Sequence, residues 1–458
     1  MDLLLDFVIK VNGVLWDSVL LVLLLGTGLY FTFRLKFVQI RKFGEGFRRI
    51  FGGLNLKGKK AGEDGMSSFQ AVATAIAAQV GTGNLAGAAT AIASGGPGAI
   101  FWMWLSAFFG MSTIYAEAVL AQLFRTKVEG EVTGGPAYYI KNGIKNKKIG
   151  SFLATFFAIA CILALAFMGN AVQANSISDA FNNAFGFSPL IIGILVSILA
   201  GFVFFGGMGR IASVTEKIVP IMAAFYIVTA VIIIGMNGSE ILPAFKAIVV
   251  GAFNPQAVMG GAIGVTVKQA VRYGVARGLF SNEAGMGSTP HAHAVAKVKH
   301  PCEQGSVAIV SVFIDTFVIL TLTALAIITS GANNMEGLKG IALTQKAFEL
   351  TLGNFGQGFI AICLLFFAFS TIIGWYFFGE SNIKYLFGKK ALNIYRILVM
   401  VIIVIGSTLK VDLVWELADT FNGLMVIPNL IALLVLSGLV VKSSREYDGV
   451  EEDKDIEI

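Results

Sequence analysis

The chain has 458 residues, 56% of them hydrophobic and only 14% charged, with a mean hydropathy of +0.78. A soluble domain carries about a quarter charged residues, so the composition excludes a soluble chain and points to a polytopic membrane protein. The formal charge of +6 does not indicate nucleic acid, because nine Lys and Arg fall between Arg34 and Lys60, directly after an apolar segment. That is the pattern of a positive-inside loop.

The N-terminal stretch MDLLLDFVIKVNG carries Asp2 and Asp6 where a secretory signal carries basic residues, and it is expected to form a short interfacial helix. A spanning helix needs about 20 mostly apolar residues. Eleven such segments follow, at 15–33, 66–93, 98–124, 150–184, 189–207, 213–236, 258–298, 305–330, 355–384, 393–409 and 413–440. The fourth and seventh are too long for one straight crossing and predict a tilt, kink or break. From Val440 the sequence VVKSSREYDGVEEDKDIEI turns polar and acidic, which predicts a disordered tail. Cys161, Cys302 and Cys363 offer neither a paired framework nor a CxxC spacing and read as structural.

With the N-terminus outside, the loops holding Arg34–Lys60, Arg125–Lys148, Arg210–Lys217, Lys297–His300, Lys384–Lys390 and Lys442–Arg445 all fall inside, with a cytoplasmic C-terminus. The opposite side keeps SGGPG, Lys246, Asn333 with Asn334, and Lys410. The alternation supports both the span count and the orientation.

Setting the first helix aside leaves ten, and the leading helix of each five is the one interrupted by glycine: GTGN at 81–84, and GLFSNEAGMGSTP at 278–290. Two five-helix halves must cross in opposite senses, and paired broken helices in inverted repeats point to a transporter's central site. The organisation expected is 1–60 (N-terminal segment, first helix, basic loop), 61–240 and 241–440 (the repeats), and 441–458 (tail). A broken helix offers free N–H groups and free carbonyls with added dipole charge, so it can hold a carboxylate and a small cation together. At the first break Gly81 and Gly83 permit close backbone approach, Thr82 and Asn84 add polarity, and Gln79 can bond a ligand group. Close helix packing by small residues is the competing explanation.

The second break offers Ser281, Asn282, Glu283, Gly285, Gly287 and Ser288 at membrane depth, where an ionisable residue is a functional candidate. Glu283 either meets an ammonium or cation or pairs with Arg277 or Arg272. Ser370 and Thr371 in FAFSTIIGW either bond the preceding turn or supply neutral oxygens to a hard cation. In the fourth helix Asn170 and Gln173 share a face, with Asn175 nearby, and can bond a polar ligand or another helix. His291 and His293 in HAHA point to opposite sides of a helix and cannot chelate one ion; an interfacial helix end is expected for them. Glu117, Asp315 and Asp419 are the other buried carboxylates, each either a proton relay or a structural partner.

GGPGAIFWMWLSAFFG at 95–110 resembles the signature of the alanine or glycine:cation (sodium:alanine) symporter family, and GLFSNEAGMGSTPHAHA is similar to a second stretch typical of it. The resemblance runs over essentially the whole chain. It implies an all-α polytopic membrane protein of the amino acid-polyamine-cation superfamily, with a leucine-transporter-like five-plus-five inverted repeat preceded by one extra helix. It further implies a secondary transporter of the prokaryotic inner membrane that moves alanine or glycine with Na+ by alternating access. Proton coupling through Glu283 or Asp315 is the alternative. By that resemblance Gln79, Gly81, Thr82 and Gly83 meet the substrate carboxylate, with Asn84, Ser281 and Gly285 in the breaks beside them. Asn170 and Gln173 are further contacts and Phe167 an apolar wall. Ala77 and Val80 supply carbonyls, and Ser370 and Thr371 hydroxyls, to sodium. The coupling ion apart, no cofactor is implied; the partners are alanine or glycine, Na+ and the bilayer, with no nucleic acid and no obligate protein partner. A channel would need a repeated filter, and an intramembrane enzyme a nucleophile with its base, which the three histidines do not supply.

Overall fold

Both glycine-interrupted helices start with the same device. Ser67 and Gln70 form a capping box ahead of Ser68–Gln79, and Thr266 and Gln269 form another ahead of Val267–Asn282. Each side chain satisfies a backbone N–H that a helix start leaves free, and such a cap is worth about 1 kcal/mol. The recurrence of the S/T-x-x-Q pattern is a local trace of the repeat. The computed structural model describes residues 2–52, 65–256 and 266–449.

Eight helices among the described residues are long and apolar enough to cross a membrane: Leu4–Arg34, Ala99–Leu123, Lys147–Phe185, Gly207–Met236, Pro301–Thr329, Asn354–Phe387, Lys389–Thr408 and Asp412–Val435. Pro189–Phe204 is a shorter apolar helix. The two spans expected to be broken are broken. The first comprises Ser68–Gln79, a wide π turn at Gly83–Gly87, and Ala88–Gly95; the second comprises Val267–Asn282 and Pro290–Ala294. Neither half alone reaches the length of a bilayer crossing. Long helices absorb their excess through further π turns, at Ile162–Gly169 in the fourth span and Phe313–Leu320 in the eighth.

The first broken helix sits at the centre. Every residue from Gln70 to Ala89 is buried, and its alanines let neighbours come close. A Cβ on Gly374 of Asn354–Phe387 would lie 2.9 Å from the Ala78 Cβ, so the two helices cross on small residues. At one end the broken helices are joined directly: strand Met66–Ser67 pairs in parallel with Ala296–Lys297. Several of the loops expected on one side meet one another there. Arg41 and Lys42 pair with Asp448, Arg49 with Glu303, and Lys384 and Lys389 with Glu131. At the opposite end Lys339 pairs with Asp412, and Lys268 and Arg272 with Asp17.

The structure corrects three expectations. The N-terminal segment is not a separate interfacial helix: Asp2–Val14 runs through a π turn at Leu15–Val19 into Leu20–Arg34. Its Asn12 is bonded to Glu416 and Thr420, which holds it against the bundle. The tail does not begin at Val440, because Ser437–Tyr447 is helical. Val440 and Val441 are buried in the core, and beyond them Tyr447 bonds Glu45 and Arg49 while Asp448 pairs with Arg41 and Lys42. His291 and His293 are not interfacial; both are buried. The remainder of the tail, the opening of the seventh span at 258–265 and the basic residues Lys57 to Lys60 lie outside the described residues.

Candidate functional site

The first break frees the backbone at Val80, whose φ of −81° and ψ of 89° leave the helical region. Thr371 Oγ1 donates across the gap and lies 2.9 Å from Ala77 O and 3.5 Å from Val80 O; Ser370 Oγ lies 3.3 Å from Ala77 O. Both hydroxyls also reach Phe367 O, at 2.9 and 3.1 Å. Five uncharged oxygens thus converge on one buried spot, a donor set suited to a small hard cation. Phe367 was not singled out in the sequence, although in a helix the carbonyl three or four residues before Ser370 and Thr371 is always Phe367 O. Gly81 borders this cluster: a Cβ there would sit 2.2 Å from Thr371 Oγ1 and 3.2 Å from Gln173 Oε1. Only glycine fits, so residue 81 joins the hydroxyl cluster to the polar group on the fourth span.

Gln173 Oε1 accepts from both Thr82 N, at 3.1 Å, and Thr82 Oγ1, at 2.6 Å. A side-chain amide oxygen therefore stands where the break offers donors to an anionic oxygen. Gln79 donates to Asn282 O at 2.7 Å, which ties the first break to the second, and its Oε1 has no protein partner. Asn170 bonds back to Ala166 O and also keeps a buried, unpartnered Oδ1. Two buried free acceptors are costly unless a ligand meets them. Phe167 is half-buried in the same π turn. Asn175 departs from this group; its amide holds Gly406 O and Leu409 O, a structural role.

Asn84 turns the other way. Its Oδ1 caps Gly81 N at 2.9 Å and its amide donates to Asp315 Oδ1 at 2.6 Å. Ser281 Oγ donates to the same carboxylate at 3.0 Å, and Thr316 Oγ1 at 2.8 Å. Gly83 lies against Ser281, where a Cβ would be 2.8 Å from the Ser281 Cα. Asp315 thus gathers donors from both breaks and from the π turn of the eighth span, and none of them is a cation.

Around the second break the carboxylates divide their work. Glu117 accepts from Gly287 N and Gly285 N, at 2.9 and 3.0 Å, and from Asn429 Nδ2 at 2.6 Å. Asn429 follows Pro428 inside the continuous helix Val411–Val435 and also holds Gly285 O. Gly285 accordingly faces Leu24, Leu430 and Thr113, away from the first break. Glu283, at a φ of +59°, receives Trp375 Nε1 and Ser288 Oγ. Of the two alternatives for Glu283, the pair with Arg277 or Arg272 is excluded, since Arg277 binds Asp419 and Arg272 binds Asp17. His291 Nδ1 meets Ser288 O and its Nε2 meets Asn382, while His293 Nδ1 meets Gln304; the two rings share no ligand position. Trp415 and Phe280 cover the breaks on the side of Asp419, with rings 4.8 Å apart. Gln79, Thr82, Asn84, Asn170, Gln173, Ser281, Ser370 and Thr371 are all buried, so the site is closed to both ends.

This geometry can be set beside known proteins. The sodium:alanine symporter family model matches residues 1–457. The chain belongs to the sodium:alanine symporter family. A sodium/alanine symporter, AgcS, of Methanococcus maripaludis is 44% identical over 456 residues, covering 98% of this chain and 99% of that one. A probable sodium/glutamine symporter, GlnT, of Bacillus subtilis is 44% identical over 437 residues, covering 95% and 89%. A putative sodium/proton-dependent alanine carrier, YrbD, of the same organism is 41% identical over 460 residues, covering 97% and 92%. Among solved structures, MhsT in complex with L-phenylalanine aligns with a TM-score of 0.57 at 13% identity, over 86% of this chain and all of that one. The match establishes the leucine-transporter-like fold of this family member. It is a multi-pass membrane transporter and not an enzyme.

Proposed function

We propose that this family member is a sodium-coupled symporter of small neutral amino acids, alanine and glycine, working by alternating access in a prokaryotic inner membrane with its N-terminus outside. One observation carries the reading: Gly81 touches both the hydroxyl of Thr371 in the oxygen cluster and Gln173, the residue that occupies the first break's donors. Sodium held by Ala77 O, Val80 O, Phe367 O, Ser370 and Thr371 therefore fixes the backbone that presents Thr82 N to a substrate carboxylate, with Gln173 turning aside. The unpartnered oxygens of Gln79 and Asn170 are the acceptors available to an ammonium group. Binding at one place then favours binding at the other, and the coupling is reciprocal.

Proton coupling is favoured by a different observation, the buried Asp315 carboxylate without a cationic partner. Uptake of labelled alanine and glycine into proteoliposomes separates the two. Saturable uptake under an inward Na+ gradient, absent under a proton gradient with K+, supports sodium symport. Uptake under the proton gradient alone transfers the coupling to Asp315, and no uptake under either removes the substrate class.

A further inference from the structure

Helices Pro189–Phe204 and Lys389–Thr408 cross on small residues. A Cβ on Gly193 would lie 2.1 Å from Ser407 Oγ and one on Gly201 2.6 Å from Met400 Cε, while Ser197 Oγ donates to Met400 O at 2.9 Å. The order of these contacts makes the two helices antiparallel. Beside the crossing the larger side chains stand apart and leave a groove of about 460 Å³, lined by Ser197 and Met400 and by Phe205, Ile397, Val401 and Ile405, the last four exposed. On a chain that spans a membrane, an exposed apolar groove of this kind faces lipid. From Phe205 and Ile397 to Ser197 and Ile405 it follows eight residues of each helix, or roughly 12 Å at the helical rise. That is close to the depth of one leaflet, half of a hydrocarbon core of about 30 Å.

One end of the groove carries two oriented arginines. Arg396, the residue before Ile397, rests its guanidinium against the Phe205 ring, 5.4 Å from the centroid, and Arg210 lies 4.4 Å from that of Phe202, about one helical turn earlier. Both rings are exposed, and each attracts the cation above it. Arg210 Nη1 also donates to Phe202 O at 2.6 Å; Arg396 donates through Nη1 to Asn393 Oδ1 at 2.9 Å and through Nε to Tyr376 OH at 3.2 Å. A planar guanidinium held in this way matches the geometry of a phosphate. The positive-inside rule accounts for arginines at this end, but not for both resting on aromatic rings at the mouth of an apolar groove. The mouth also reaches the helix that bears Ser370 and Thr371. Tyr376 lies further along Asn354–Phe387, and its ring stacks on Phe204 at 3.8 Å and on Tyr395 at 5.2 Å.

We propose that this groove binds one anionic phospholipid, with its phosphate on Arg396 and Arg210 and one acyl chain along Ile397, Val401 and Ile405. Charge complementarity at the mouth and a leaflet-deep apolar groove behind it are satisfied together by that occupant. A soluble anion would leave the groove uncovered, and a neutral lipid would bring no net charge to the arginines. The bound lipid bridges Pro189–Phe204 to Lys389–Thr408 and, through Arg396, steadies Tyr376. The site is independent of the substrate and sodium assignments.

The test is photocrosslinking of the full-length protein in phosphatidylcholine vesicles, with crosslinked peptides mapped by mass spectrometry. Two probes with the same photoreactive acyl chain are compared at equal mole fraction, one a phosphatidylglycerol and the other a phosphatidylcholine. One basic residue beside an anionic lipid is worth about fivefold in affinity, so the phosphatidylglycerol probe should label residues 197–205 and 397–405 at least about fivefold more than its neutral counterpart. Arg210→Gln with Arg396→Gln should bring the two probes level. Lys145→Gln with Lys148→Gln, exposed residues outside the groove, should leave the difference unchanged. Val401→Phe fills the groove while keeping both arginines, and should remove the labelling there. The comparison of probes uses the unaltered protein, so it decides the matter even where a variant fails to fold. Equal labelling by both probes, or an equal loss in the lysine variant, overturns the site. A groove that neither probe labels, in a protein that elutes as a dimer, assigns this face to a second copy and overturns it too.

Discussion

Arg277 and Asp419 meet in a buried two-pronged ion pair, with Nη1 2.9 Å from Oδ1 and Nη2 2.5 Å from Oδ2. Arg277 lies on Val267–Asn282, the first half of the second broken helix, and Asp419 on Val411–Val435, while the guanidinium rests on Trp415, 4.6 Å from its ring centre. The pair therefore links a broken helix to a neighbouring element at the end opposite the strand seam. Removing one partner leaves the other charge buried, at a cost of roughly 3–5 kcal/mol. Asp419→Asn should lower the unfolding temperature of the purified protein and reduce uptake. Arg277→Met with Asp419→Leu, which removes both charges, should restore most of the thermal stability but not a normal transport cycle. A double variant as unstable as the single one would mean that the pair is not coupled.

Glycine 81 is required by space and not by backbone angle, since its added Cβ would fall 2.2 Å from Thr371 Oγ1. Gly81→Ala must displace that hydroxyl, and sodium-driven uptake should fall at least about tenfold while the protein remains folded by size-exclusion chromatography. Thr371→Val keeps the shape and removes the oxygen. A lost oxygen contact to a charged group is worth about 1.5–3 kcal/mol, so the sodium concentration for half-maximal uptake should rise by about tenfold or more. An unaltered sodium curve would place the cation elsewhere.

Gln173 and Asn170 make an unequal pair. Gln173 already occupies Thr82 N and Oγ1, whereas Asn170 bonds only its own helix. Gln173→Ala frees two donors for a substrate carboxylate but removes the residue that orders the first break; its effect should appear in both KM and the sodium dependence. Asn170→Ala should raise KM alone. Transport assays over a range of alanine and sodium concentrations resolve the two patterns, and unchanged KM in both variants would remove the fourth span from the site.

How far the chain could be read before its structure follows from what each signal depends on. Both helix breaks were visible because Gly81, Gly83, Gly285 and Gly287 cannot be explained by apolar spanning alone, and the Ser370–Thr371 pair because hydroxyls interrupt an apolar run. The meeting of several of the basic loops followed from charge alternation. What the sequence did not show was pairing between distant segments. Glu117, Glu283 and Asp419 looked alike as buried carboxylates, yet one caps backbone amides, one receives an indole and one binds an arginine. The histidines looked interfacial because Lys297 and His300 follow them, but the short strand at Ala296–Lys297 folds HAHA back inside. A two-residue parallel strand has no periodicity to detect.

Glu117 replaces the missing helix partners of Gly285 N and Gly287 N, and a carboxylate is suited to this because both oxygens only accept. Glu117→Gln keeps the size but turns one acceptor into an NH2 group facing an N–H donor. The substitution should cost about 1–3 kcal/mol of stability, the range for a buried group left unsatisfied. Substrate affinity should fall less than transport rate, because Gly285 faces Leu24 and Leu430 and not the first break. A loss of affinity with unchanged stability would instead place Glu117 in the substrate pocket.

The basic end carries its own pH dependence. Partial burial pushes the Glu45 carboxyl up, but hydrogen bonds from Tyr447 and Arg49 and the charge of Lys42 outweigh it and hold it below the usual carboxylate range. Asp448 is held down in the same way, burial being outweighed by Lys42 and Arg41. A depressed carboxylate contributes stability that is complete above its unfolded pKa of about 4 and is lost as pH falls through the folded value. These contacts tie helix Ser437–Tyr447 to Phe43–Phe51, so acidification below about pH 4 should release that helix, with little change between pH 5 and 8. Hydrogen exchange over residues 437–447, corrected for the intrinsic pH dependence of exchange, should rise below that point. In Glu45→Gln with Asp448→Asn the low-pH step should vanish, because exchange is already fast at neutral pH; a step that survives in this double variant would assign the transition to other groups.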